Sequence, residues 1–183
     1  TGVGESPTLP PCSPAPFFPV TERSAQHDRS ESSAASEAAT DPAAVRLAAM
    51  NLLARREHSR TELRQKLGRR FTDTRVIDQE IDRLAEENLQ SDARFAETFV
   101  RHRFCRGQGP LRIRQEMRQR GIADDDIQIA MAAEDYDWSA SAAGVMERKF
   151  GSGPAADIHE KARRNRFMQY RGFALEHYEH LLA

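Results

Sequence analysis

Apolar residues recur at helical spacing along most of the chain, and the pattern restarts twice. Near residue 80, Ile77, Ile81 and Leu84 lie three or four residues apart, which places them on one face of an α-helix. The apolar positions of other predicted helices include Leu47 and Ile129. No stretch alternates apolar and polar residues as a half-buried strand would. The pattern therefore predicts an all-α protein.

Capping residues and glycines mark the helix boundaries. Ser59 and Glu62 have the spacing of a capping box, which starts a helix. The stretch Gly107–Pro110 separates two helices, because proline fits the first turn of the helix that follows. Gly121 and Gly172 each follow a helix end, where a left-handed backbone conformation is common. These signals divide the chain into short helices.

A related sequence motif lies at the end of the middle helix in each group of three helices. It contains Arg70, Arg120 and Arg171, which fall about fifty residues apart, a period typical of helical repeats. Large aliphatic residues are sparse, which favours an elongated tandem array over a sphere. A last helix is expected from about Leu175 to Leu182. The three predicted three-helix units are residues 41–89, 90–136 and 137–183.

The first forty residues differ from the rest in composition. Residues 1–40 are rich in Pro, Ser and Ala, a composition that predicts a disordered extension. The chain has no apolar run long enough to cross a membrane and no basic segment typical of a signal peptide. We therefore expect a cytoplasmic location and no membrane partner. Separately, we expect the protein to be a monomer.

Charge is segregated although the formal net charge is only −1. The middle helix of each unit is basic and the third helix is acidic. Two interpretations remain open: the helices attract each other within the protein, or they present a basic and an acidic surface to a partner. The candidate binding residues are Arg64, Lys66, Arg69, Arg101, Arg103, Arg112, Arg114, Arg118, Lys161, Arg163, Arg164 and Arg166.

On the middle helix of the second unit, the position of a residue predicts whether it can contact a partner or supports the fold. Ile113 and Met117 are one turn apart and face the predicted core. Arg114 and Arg118 are also one turn apart but lie off that stripe, so they can reach a partner. Arg120 lies closer to the core stripe at the helix end, which favours a structural role on nearby carbonyl groups.

The sequence contains no combination of residues that indicates catalysis. His177 and His180 have a spacing that metal sites use, but no further ligand motif accompanies them. No nucleophile, base and orienting group occur together. We therefore expect neither an enzyme nor a cofactor.

Three motifs in order resemble the RecX family of bacterial regulatory proteins, which bind the RecA recombinase. The central motif comprises residues 91–101, 106–110 and 118–122; residues 52–67 and 161–173 resemble the N-terminal and C-terminal motifs. The resemblance implies a curved all-helical array that docks along, or caps, the RecA–single-stranded DNA filament. It also implies inhibition of recombinase, ATPase and co-protease activities, which restrains recombination and the SOS response, without a cofactor.

Two other classes of function remain as alternatives. Two short helices joined by a glycine turn are also found in helix-turn-helix DNA-binding regulators. A helical-repeat adaptor that binds only protein is the third possibility. The spread of charge over three units favours an extended partner over a single recognition helix.

Overall fold

A computed structural model describes residues 40–182, and this part of the chain is all-α, as predicted. It contains eight α-helices followed by two short 3₁₀ helices and no strand. The predicted disordered segment lies outside the described residues, apart from Thr40. The helices are α1 (Pro42–Leu53), α2 (Arg60–Leu67), α3 (Thr74–Glu86), α4 (Asp92–Cys105), α5 (Pro110–Gln119), α6 (Asp124–Ala132), α7 (Trp138–Phe150) and α8 (Ile158–Arg171).

Each predicted unit contains one cluster of buried apolar side chains. The α1–α3 cluster includes Leu63, the α4–α6 cluster includes Ile113, and the cluster of α7, α8 and the 3₁₀ helices includes Met168; all three side chains are fully buried. Trp138 packs against the second and third clusters and so links two units. The helical periodicity thus produces three small cores in series.

Side-chain caps begin six of the eight described helices. Ser59 is typical: its Oγ accepts the N–H of Glu62 at 3.1 Å, which satisfies a donor that the helix itself leaves unpaired. The helix α5 has no such cap. Instead, the carbonyls at the end of α8 accept its first N–H groups: Gly109 N–H bonds to Arg171 O at 2.9 Å and Leu111 N–H to Gly172 O at 3.0 Å.

The middle helices therefore meet end to end. The end of α8 supports the start of α5, and the end of α5 supports the start of α2, where Ser59 Oγ donates to Arg120 O at 2.9 Å. We call these contacts the α8–α5 junction and the α5–α2 junction. In each, the partly negative C-terminus of one helix meets the partly positive N-terminus of the next, which is a favourable arrangement of dipoles.

Glycines in the left-handed conformation allow both junctions. Gly121 has φ 74° and Gly172 has φ 86°, as predicted. The residues after them, Ile122 and Phe173, fold back and donate to the carbonyls of Met117 and Met168, the hydrogen bond of a Schellman motif. Ile122 and Phe173 are buried, so each helix end is sealed by an apolar contact.

Three details of the predicted fold are wrong. The last segment forms 3₁₀ helices, Leu175–His177 and Glu179–Leu182, rather than one α-helix. It is too short to gain much from α-helical hydrogen bonds, and buried Tyr178 fixes it by donating to Asn165 Oδ1 at 2.7 Å. Leu47 and Ile129 are exposed, because neighbouring positions already fill the core faces of α1 and α6.

None of the helices in the described part combines the length and apolar character that a bilayer crossing requires.

Candidate partner-binding surface

Arg114 and Arg118 line one open depression between α5 and α6, with a volume of about 440 Å³. Arg118 Nε bonds to Asp124 Oδ1 at 2.7 Å, and both side chains are well exposed. Arg114 forms no ion pair with any residue in the range 40–182. An exposed pair contributes little to stability, so Arg118 can exchange Asp124 for an anionic partner at low cost. The geometry leaves both cations available.

The candidate residues on α2 and just beyond its end also divide into paired and unpaired cations. Lys66 and Arg69 are exposed and have no ionic partner among the described residues. Arg64 Nε bonds to Asp78 Oδ1 of α3 at 2.6 Å, and Arg60 pairs with Asp82 one turn further along α3. Part of the basic charge of α2 is therefore compensated by the acidic helix beside it.

Arg101 on α4 also has an internal partner. Its Nη2 lies 2.6 Å from Glu134 Oε1, and this hydrogen bond, together with the charge of Glu134, raises the pKa of Arg101. Arg101 is nevertheless exposed. It can contact a partner only in competition with Glu134.

Arg103 and Arg112 line an open depression of about 570 Å³, but both are held in a structural cluster around Glu116. Arg103 Nη2 lies 2.7 Å from Glu116 Oε2, and Arg112 Nε lies 3.0 Å from Glu116 Oε1. Burial lowers the pKa of Arg103, although the charge of Glu116 opposes this shift. Arg112 also donates to Tyr170 O at 3.1 Å. Both arginines therefore connect elements of the fold.

Arg120 completes this Glu116 cluster, and its role is structural, as predicted. Its Nη1 donates to the Glu116 carbonyl at 2.8 Å, and its Nε lies 3.3 Å from Glu62 Oε1 in the first unit. The guanidinium also lies over the Phe99 ring, 4.7 Å from the ring centre. Arg120 thus bonds a helix-end carbonyl and ties the first unit to the second.

Arg164 is not a surface residue. Only 3% of it is exposed, and it donates to Gly153 O at 2.7 Å and pairs with Glu160 at 3.0 Å. It lies four residues before Met168, on the core stripe that Ile113 occupies before Met117. A partner cannot reach Arg164, so it drops out of the candidate surface.

The other α8 candidates remain on the surface. Lys161 and Arg166 are exposed and form no ion pair with described residues. Arg163 is also exposed; it is held loosely, 3.5 Å from Glu160, and lies over the Phe150 ring. The accessible cations of α8 are therefore Lys161, Arg163 and Arg166.

Many of the charged side chains pair with each other within the protein, as the first of the two interpretations of the charge pattern expected. Acidic third helices pair with basic middle helices, as the Arg64–Asp78 and Arg118–Asp124 ion pairs show. A remainder of unpaired surface cations is left on or just beyond the middle helices of all three units. These are Lys66 on α2, Arg69 just beyond the end of α2, Arg114 on α5, and Lys161 and Arg166 on α8.

Sequence reasoning missed a second group of cations. Arg106, Arg148, Lys149 and Arg171 line one depression between the second and third units. They come from the ends of three different helices, so no helical spacing connects them. The one available signal was that each stands next to a predicted helix end.

No group of three His, Cys, Asp or Glu side chains within residues 40–182 has the arrangement of a metal site. His177 instead acts as a cap, since its Nδ1 accepts the N–H of Ala174 at 3.2 Å.

The sequence models of two protein families match this chain. They are described as "RecX, first three-helix domain", over residues 46–84, and "RecX, second three-helix domain", over residues 91–131. A protein named "Regulatory protein RecX" from Halorhodospira halophila is 51% identical over 141 residues, which cover 77% of this chain and 88% of that protein. One of the same name from Pseudomonas putida strain GB-1 is 45% identical over 142 residues, or 78% and 91% of the two chains.

Solved structures show the same fold at low sequence identity. The crystal structure of RecX from Lactobacillus salivarius has a TM-score of 0.65 at 19% identity and covers 79% of this chain and 96% of that one. A second, titled "Crystal structure of regulatory protein RecX", has a TM-score of 0.65 at 21% identity and covers 76% and 70%.

Proposed function

The chain belongs to the RecX family, and we propose that it binds the RecA–single-stranded DNA filament and inhibits its recombinase, ATPase and co-protease activities. By this action it would restrain recombination and the SOS response. Family membership is the observation that carries the proposal. We also propose that it acts in the cytoplasm as a monomer, as a binding protein without catalysis of its own.

The distribution of unpaired cations supports a partner that contains nucleic acid. One such residue or more lies on each middle helix, for example Lys66 on α2, Arg114 on α5 and Arg166 on α8. Cations spread over three units suit the repeated phosphates of a strand, and such contacts need no particular base sequence. A helix-turn-helix DNA-binding regulator would instead carry its base-contacting side chains on one recognition helix.

The exposed acidic side chains support a protein component of the partner. Asp124 and Asp125 stand exposed at the start of α6, near the depression that Arg114 and Arg118 line. Their position also suits the dipole of α6, so part of their role is local. A partner that presents DNA beside a basic protein surface could therefore contact the cations with its phosphates and the carboxylates with its basic side chains.

The proposal is tested by RecA-catalysed, DNA-dependent ATP hydrolysis, measured with and without this protein. We expect inhibition at or below equimolar protein. Unchanged hydrolysis would count against the function. Gel shifts then separate the alternatives: a regulator would prefer one duplex sequence, and an adaptor would ignore DNA.

A double charge reversal tests the surface on α5. Arg114→Glu with Arg118→Glu should weaken filament binding by about tenfold or more, since two phosphate contacts become repulsive. Helicity should stay unchanged because neither side chain supports the core. Arg55→Glu with Arg75→Glu is the matched control, since both arginines are exposed and lack ionic partners among the described residues. Equal binding by the two double variants would refute the α5 surface.

A further inference from the structure

The depression missed by sequence reasoning has the chemistry of a phosphate site. We call it the junction pocket and define it by Arg106, Arg148, Lys149 and Arg171, with Val145 and Phe167 as its apolar lining. Its volume is about 190 Å³. The cations come from the end of α4, the last turn of α7 and the last turn of α8.

No carboxylate lines the junction pocket. Within residues 40–182, none of its four cations forms an ion pair, in contrast to Arg101 or Arg118. Four like charges around one depression repel each other, and an anion bound between them would relieve the repulsion. The unbalanced charge therefore points to an anionic ligand.

Helix dipoles explain why each cation is tolerated but not why the four converge. Lys149 and Arg171 lie at helix C-termini, where positive charge is favourable. Two contacts bring the four cations together: Arg171 Nη1 donates to the Arg106 carbonyl at 3.2 Å, and Gly107, with φ 67°, lets the end of α4 lie close to α7. A Cβ at this position would overlap Val145 Cγ2 and lie 3.4 Å from Arg148 Nη2. The close approach of two units thus builds the pocket.

The lining favours a nucleic-acid strand over a carboxylate ligand. Three of the four cations are arginines, whose planar fork matches phosphate and carboxylate oxygens alike, so the aromatic ring beside them decides between the two ligands. Phe167 lies in the same pocket, and the Arg171 guanidinium stands 5.3 Å from its ring centre. Cations combined with an aromatic ring are typical of single-strand sites, where phosphates meet charge and bases meet rings.

We propose that the junction pocket binds a backbone phosphate of single-stranded DNA directly, in the absence of any recombinase. The inference rests on the proposed function for the choice of DNA and adds to it a contact site separate from the α5 surface. The pocket lies between the second and third units, whereas Arg114 and Arg118 lie between α5 and α6.

The test is fluorescence anisotropy of a labelled oligothymidine with the full chain and no recombinase, at several salt concentrations. Arg148→Gln with Lys149→Gln should weaken binding by about fivefold to tenfold and lower the salt slope by about 1.4, or 0.7 for each lost contact. Arg55→Gln with Arg75→Gln serves as the matched control and should leave both quantities unchanged. Equal affinity and slope for the two double variants would overturn the proposal.

A second variant guards against a folding defect. If Arg148→Gln with Lys149→Gln loses helicity, Arg106→Gln replaces it, with an expected slope change of about 0.7. Normal DNA binding combined with loss of recombinase binding would make the pocket a protein-docking site and also overturn the proposal. Inhibition of ATP hydrolysis is measured separately, so the pocket can fail while the proposed function stands.

Discussion

Gly121→Ala tests whether the α5–α2 junction determines the stability of the fold. A Cβ at residue 121 would overlap the Oγ1 of Thr61 and lie 3.1 Å from its Cβ. The left-handed backbone costs a non-glycine residue about 1–2 kcal/mol, and overpacking costs about 1–3 kcal/mol more. The free energy of unfolding should therefore fall by about 2–5 kcal/mol.

The partner substitution separates these two causes. Thr61→Ala removes Oγ1 and Cγ2 and so relieves most of the overlap, while the backbone cost at residue 121 remains. In a double-mutant cycle, the two changes should show a favourable coupling of about 1–3 kcal/mol. The measurement is urea unfolding of the wild type, both single variants and the double variant, followed by circular dichroism.

Gly172→Ala provides a contrasting control at the α8–α5 junction. There the added Cβ would meet the Cβ of Arg112 and lie 2.6 Å from its backbone nitrogen. Arg112→Ala keeps both atoms, so it should give no rescue. Additive effects at Gly121 and Thr61, within about 0.5 kcal/mol, would refute the junction as a tight contact.

Two further predictions concern buried polar groups. Arg164→Ala should lower the free energy of unfolding by about 1–3 kcal/mol, because the Gly153 carbonyl loses its buried donor, whereas Glu160 is partly exposed and still accepts the N–H of Ala156; an effect like that of the exposed Arg166→Ala would refute this role. His58 is buried and its pKa is lowered, chiefly by burial, so the unfolded chain binds its proton more readily. Stability to urea should therefore fall as pH drops below about 6.5, and His58→Gln should flatten this change; an equal pH dependence in both proteins would contradict it.

Periodicity and capping residues predicted most of the helical fold because both act locally. The left-handed Gly121 and Gly172, and the buried Ile122 that follows the first of them, were predictable from residues within one helix turn. The predictions were wrong where the structure depends on contacts between residues that are distant in the sequence. Leu47 has the same spacing as its buried neighbours, and only the packing of α1 against other helices exposes it.

For Arg164, the repeat period and the residue type predict opposite locations, and the repeat period is right. Met168 corresponds to Met117, so the position four residues earlier corresponds to buried Ile113. The period therefore placed Arg164 in the core, whereas its charge suggested a surface position. The accepting carbonyl of Gly153 and the carboxylate of Glu160, which resolve this conflict, become visible only in three dimensions.

The candidate surface was less predictable than the fold, because accessibility depends on partners from other elements. Arg103 and Arg118 look equivalent in the sequence, yet one is held in the Glu116 cluster and the other pairs loosely with exposed Asp124. The junction pocket is the extreme case, since its cations converge only through the packing of three helix ends.

The two junctions also connect folding to the proposed binding surface. Arg120 contacts Glu62 of the first unit, and Gly172 accepts the N–H of Leu111 at the start of α5. Both ends of α5 are thereby fixed to neighbouring units, and Arg114 lies between them. A substitution that loosens either junction should therefore weaken filament binding even though it removes no cation. Comparing filament binding of Gly121→Ala with that of the Thr61-rescued double variant tests this coupling, and full binding by the unrescued variant would refute it.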